Sequence, residues 1–282
     1  MRKAALALAI TAALCALGAR FSAGQGGEPF KGTRAYCYFR PAELTWRIGN
    51  DVVERTVRFD RDTGVLFTQG VQVKGRLPRI EPVAGLEGQF LLAGDAPAVR
   101  LDGGWTYMWQ IVTTPAHGGR LLTIHLQGKG RNAGYEVEAL YEVYPGNRPY
   151  LARSLTLINR SGAPRTVAEV DYGRWVLAKA PRGRRAAAAA APVAPSAQPA
   201  AAPNVGVVQD PAGGGGLVAA VLGPGGTVAV SGGAVALRVK AAVDVSANGG
   251  RAYAPRAVVA PFLGAQGAGR ALVGRLEAEI AH

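Results

Sequence analysis

Apolar and polar positions alternate along most of this chain with a period of two, most clearly from Tyr135 to Gly162. There Tyr135, Val137, Ala139, Tyr141 and Val143 interleave with Glu136, Glu138 and Glu142, so one strand face is apolar and the other acidic. Only Leu140 breaks the polar side. Tyr144-Pro145-Gly146-Asn147 follows, with proline to fix φ and glycine to accept φ > 0, which is what a type II turn requires. Beyond it Leu151, Leu155 and Leu157 share one phase and Ser154 and Thr156 the other, until the turn formers Asn159-Arg160-Ser161-Gly162. The pattern predicts two antiparallel strands joined by a reversal.

The same period recurs elsewhere. Val53, Val57 and Phe59 alternate with Glu54, Thr56, Arg58 and Asp60, and Asp62-Thr63-Gly64 supplies a hairpin turn into Val65-Leu66-Phe67. Leu122, Ile124 and Leu126 face one way, and Thr123, His125 and Gln127 the other. From Tyr36 to about Leu177 no helical period competes with these short segments, which predicts an all-β sandwich or barrel. An insert at about 182–204, almost all Ala and Pro between Ala186 and Pro203, has no side chains to build a core and reads as an extended surface loop. Strand signals resume at Val205, Leu217, Val228 and Val235, so the β domain is expected to continue past the insert. Leu272, Leu276 and Ile280 recur at helical spacing, predicting one short carboxyl-terminal helix with Gly274 as its weak point.

The first residues need a separate reading. Arg2 and Lys3 precede an apolar run from Ala4 to Gly18, shorter than the ~20 residues a spanning helix needs, so residues 1–23 read as a secretory signal peptide cut near Gly18, Ala19 or Ala23. Leu14 before Cys15 is too large for lipid attachment there. The expected protein is exported, periplasmic or extracellular, without a transmembrane span after cleavage. It comprises a flexible segment at 24–35 and a β domain at 36–282. Removal of the leader leaves Cys37 as the one cysteine, so no intrachain disulfide is expected and an apolar core must supply stability. The formal charge of +13 includes Arg2, Lys3 and Arg20 of the leader. The remaining cations are scattered singly apart from Arg182-Gly183-Arg184-Arg185, which reads as a solvated basic surface rather than a nucleic-acid interface.

Several runs lie in one consistent order: Trp46-Arg47-Ile48-Gly49-Asn50, Val53-Glu54-Arg55, Thr63-Gly64, Leu122 to Leu126, Tyr141-Glu142-Val143-Tyr144-Pro145-Gly146, and Arg153 to Asn159. Together they resemble the amino-terminal β-supersandwich domain of the α-galactosidase-like glycoside hydrolases (family 36), a fold shared with galactose mutarotase-like proteins. The resemblance spans about Trp46 to Leu177 and extends through Tyr253-Ala254-Pro255-Arg256 to Phe262. It implies a two-sheet antiparallel supersandwich and a carbohydrate setting, with a glycan or a glycosidase-like protein as partner. The catalytic carboxylates of that family sit in a (β/α)₈ barrel that follows this domain, and no residue of this sequence matches them.

Candidate chemistry is sparse. Glu136, Glu138 and Glu142 line one strand face, either as a solvated surface or as carboxylates close enough to cooperate. A sugar-anomer enzyme would need a general base and acid around the ring oxygen. Of His117, His125 and His282, only His125 is placed for that, on the polar phase of a strand, as an exposed side chain or one looking into a concave face. For binding, Trp105, Tyr107 and Trp109 fall at alternate positions of one segment, which predicts a stripe on one strand face, either core or a platform for sugar rings. Arg55 and Arg153 share the apolar phase of their strands and are expected to be partly buried against carboxylates or carbonyls. Gly213-Gly214-Gly215-Gly216 lacks the ending of a phosphate loop, and no metal-ligand spacing, serine-nucleophile motif or cofactor signature is present. Docking onto a partner would call for an exposed apolar patch near the carboxyl-terminal segment.

Overall fold

The computed structural model describes residues 35–74, 79–82, 87–116, 118–146, 148–177, 204–209, 215–231, 233–263 and 266–280. The leader, most of the alanine-proline insert, His117 and His282 lie outside them. The strands are β1 (Tyr36–Arg40), β2 (Thr45–Gly49), β3 (Val53–Asp60), β4 (Val65–Val73), β5 (Arg79–Pro82), β6 (Gln89–Leu92), β7 (Val99–Arg100), β8 (Trp105–Thr113) and β9 (Arg120–Gly128). They continue with β10 (Tyr135–Val143), β11 (Leu151–Asn159), β12 (Arg165–Leu177), β13 (Val205–Gln209), β14 (Gly215–Leu222), β15 (Gly226–Ser231), β16 (Ala234–Val245), β17 (Gly250–Tyr253) and β18 (Arg256–Leu263). The helix α1 (Gln266–Ile280) follows them.

These strands form two antiparallel sheets. The first runs β1-β2-β3-β4-β5-β12-β16-β15, with β6 also on β12 and β7 on β6; the second runs β13-β14-β18-β11-β10-β9-β8, with β17 also on β11. Trp46, Ile48, Val57, Leu66 and Phe90 of the first sheet and Leu122, Ile124, Leu126, Val137, Ala139 and Leu157 of the second share one buried core. Each large apolar side chain so enclosed contributes roughly 1.5–3 kcal/mol. The all-β sandwich expected from the alternation is the observed architecture.

The hairpin β10–β11 has the register its pattern requires, from Tyr135 opposite Asn159 to Val143 opposite Leu151. Gly146 has φ of 76°, the value the second central position of a type II turn demands. A second apolar cluster lies outside the sandwich core, where Leu272 and Leu276 of α1 pack with Val218, Ala220, Val258, Ala260 and Phe262. Gly269 makes that seat possible, since a Cβ there would stand 2.9 Å from the Phe262 ring. Gly274, by contrast, has open space around it, so its cost to the helix is one of propensity alone. The helix covers one end of the outer face of the second sheet and leaves the rest of that face, from β8 to β17, without it.

Candidate functional site

The site grows from strand register on the uncovered outer face. Pairing sets Trp109 of β8 opposite His125 of β9, His125 opposite Glu138 of β10, Glu138 opposite Thr156 of β11, and Thr156 opposite Tyr253 of β17. The row therefore crosses five strands. Its beginning depends on an irregularity, because the register of β8 shifts between Tyr107 and Trp109. Met108 is the extra residue of a β-bulge, and such a residue reverses the facing of everything after it.

The aromatic stripe expected on one face is thereby divided. Trp105 is buried, with its indole Nε1 donating to the Arg100 carbonyl at 2.8 Å, and Tyr107 turns inward against Trp46 and Phe59. Enclosure takes the Trp105 ring away from any surface ligand and leaves Tyr107 partly buried against the core. Trp109 goes the other way and is 43% exposed. Its ring stacks on the His125 imidazole with centroids 4.6 Å apart and planes 7° from parallel.

His125 is neither exposed nor alone. Its Nε2 stands 3.4 Å from Glu136 Oε2 and its Nδ1 3.6 Å from Glu138 Oε1, so the ring lies between two carboxylates of the neighbouring strand. Each carboxylate also meets an arginine. Arg160 reaches Glu136 at 3.1 Å, and Arg251 donates to both oxygens of Glu138 at 3.0 and 3.2 Å. Contact with His125, together with the Arg251 guanidinium, holds the Glu138 carboxyl below its ordinary range although burial pushes the other way. A general acid of a glycosidase needs the opposite shift. Glu142, the third acid of the alternation, accepts from the Tyr144 hydroxyl at 3.2 Å and faces Arg256 Nε at 3.3 Å. The three acids legible as one face do share it, and each is matched by an arginine. Beside them Leu121, Leu140, Glu142, Ser154 and Arg256 line a hollow, which gives the odd Leu140 a place.

Sequence reasoning found His125, Trp109 and the acids separately but not their assembly, and it missed Arg160, Arg251 and Tyr253. Arg251 and Tyr253 flank the core residue Ala252 in a strand of only four residues, too short for alternation to stand out. The exposed large apolar side chains among the described residues lie on two strands. Met108, Trp109, Ile111 and Val112 are on β8, at the edge of the second sheet, and Tyr253 is on β17. Of the glycine run, Gly213 and Gly214 lie outside the described residues, while Gly215 and Gly216 belong to β14, where a Cβ on Gly216 would meet the Phe262 ring at 2.3 Å. Among the described residues no three His, Cys, Asp or Glu side chains gather as a metal site, and no helix is long and apolar enough to cross a membrane.

A second polar cluster lies between the sheets. Arg55 and Arg153 are buried as expected, and both hold the fully buried Glu87, whose carboxylate also accepts from the Tyr141 hydroxyl at 3.0 Å. Arg55 further donates to Thr68 at 2.8 Å and Arg153 to the Tyr172 carbonyl at 2.7 Å. Burial works to raise the Glu87 carboxyl, but the two guanidinium groups prevail and hold it at about 2. Nothing in the local sequence marks Glu87, because its partners lie on β3, β10 and β11 and meet it only when the sheets close. This cluster has no exposed member and braces the fold.

No protein-family model and no curated protein sequence matches this chain. Among solved structures it is similar to the galactosidase domain of the α-galactosidase-sucrose kinase AgaSK, with a TM-score of 0.51 and 12% identity over 82% of this chain and 42% of that one. A weaker likeness is to the heparan sulfate lyase HepC from Pedobacter heparinus, with a TM-score of 0.42 and 11% identity over 85% of this chain and 37% of that one. The chain thus spans less than half the length of either. At such identity the first likeness bears on fold alone, and what it supports is the glycoside-hydrolase-like β-sandwich that the collinear sequence runs resemble.

Proposed function

We propose that this chain is an exported, non-catalytic carbohydrate-related module that binds glycan on the outer face of its second sheet, with Trp109 as the stacking platform. The observation that carries this reading is the exposed Trp109 ring laid flat on His125, which is itself fixed between Glu136 and Glu138. An immobilised indole presents a rigid apolar plane to the C–H face of a pyranose without losing side-chain freedom on binding. The arginine–carboxylate pairs beside it supply donors and acceptors for hydroxyl groups. The sandwich shared with a galactosidase domain supports a carbohydrate setting.

The test is a glycan array followed by calorimetry on the hits. Trp109→Ala is expected to lower affinity about tenfold or more. Unchanged binding in that variant removes the platform. A second reading, a sugar-anomer enzyme acting through His125, is favoured by the imidazole's position between two carboxylates. Polarimetry decides it: α/β interconversion of an aldose faster than buffer, and lost in His125→Ala, would assign the site to catalysis.

A further inference from the structure

The row that begins at Trp109 ends at a second ring. Tyr253 is 68% exposed, lies on the same outer face through its pairing with Thr156, and is four strand positions away from Trp109. At a strand spacing of about 4.8 Å the two rings stand ~19 Å apart. No single sugar reaches both. Between them the charges are internally settled, Glu138 by Arg251 and Glu136 by Arg160.

Resting on the reading of Trp109 as a platform, we propose that Tyr253 is the second platform of one extended subsite row, and that its ligand is a neutral oligosaccharide lying across the strands. An anionic sugar would gain little here, because each guanidinium on its path already serves a carboxylate and the acids themselves would repel it. A neutral chain loses nothing to that competition. Its hydroxyls take the lone pairs of Glu138 and the N–H groups of Arg251 that the pair leaves over. Rings at each end then make the affinity depend on length, since only a chain that spans the row engages both platforms.

Calorimetry with the full chain tests this, using neutral galacto-, gluco- and manno-series from mono- to hexasaccharide alongside oligogalacturonides of equal length. The expected result is affinity that rises with length among neutral ligands, and a loss of about three- to tenfold for Tyr253→Ala with long ligands only. The exposure of Tyr253 leaves the fold of that variant undisturbed. Equal affinity for short and long sugars, or an unaffected Tyr253→Ala, overturns the extended row while leaving Trp109 as a lone platform. Tighter binding of oligogalacturonides overturns the neutral class. Loss of nothing in Trp109→Ala overturns this proposal and the platform reading together.

Discussion

At the scale of single residues, Glu87 has the most consequence for stability. It is a buried anion between two buried cations, and removing it leaves both guanidinium groups without their anion and without water. Glu87→Gln is expected to cost about 3–5 kcal/mol, read as a shift of the urea midpoint without a change in slope. The pH dependence follows from the direction of the shift. The folded-state pKa, about 2, lies below the ordinary 4.5, so the stabilisation is present above that ordinary value and is lost as pH falls toward the depressed one. Wild type and Glu87→Gln should therefore differ most above about pH 4.5 and converge as the pH approaches about 2 in an acid-unfolding series. A constant difference across that window would show that Glu87 does not titrate with folding. Cys37 stands at the other extreme. Burial pushes its thiol up to about 12, so it stays protonated at neutral pH and is a packing residue rather than a nucleophile.

At the scale of elements, the bulge at Met108 decides which aromatic ring meets solvent. Deleting Met108 restores two-residue alternation in β8 and keeps Tyr107 inward and Trp109 outward. Iodide quenching of tryptophan fluorescence should therefore be retained in the deletion variant; its loss would mean that the facing of Trp109 has another cause. The bulge also shows where legibility ends. The β10–β11 hairpin could be read directly because an alternation broken only by Leu140 on the polar side of β10, Pro145-Gly146 and the closing turn all agree. In Trp105–Trp109 the three aromatic residues also fall at alternate positions, and the added residue in the ladder, Met108, breaks only the polar side, as Leu140 does in β10 without a bulge. The α1 seat was legible in Leu272 and Leu276, but not in Gly269, whose role depends on an aromatic ring from another strand. The site itself was legible as parts. Its assembly needs strand order, because His125, Glu138 and Tyr253 are neighbours only through β9, β10, β11 and β17.

At the scale of the whole molecule, the second sheet is asymmetric. One end of its outer face is closed by α1, while the other finishes at β8, a nine-residue edge strand with no charged side chain and four exposed apolar ones. Unguarded edges of this kind pair with other chains. Ile111→Lys is expected to lower concentration-dependent light scattering while changing folding stability by no more than about 0.5 kcal/mol. An unchanged association constant would place the sticky surface elsewhere. The Arg55–Glu87–Arg153 brace has a consequence on a longer scale of time. Because loss of Glu87 leaves two guanidinium groups in the core without their anion, and loss of either arginine takes one cation from the buried carboxylate, every single replacement costs stability, and descendants of this sequence cannot shed the trio stepwise without passing through weakened intermediates. An apolar trio of matching volume would fold as well, yet it is reachable only by concerted change, so the brace is locked in by the route out rather than by its own worth.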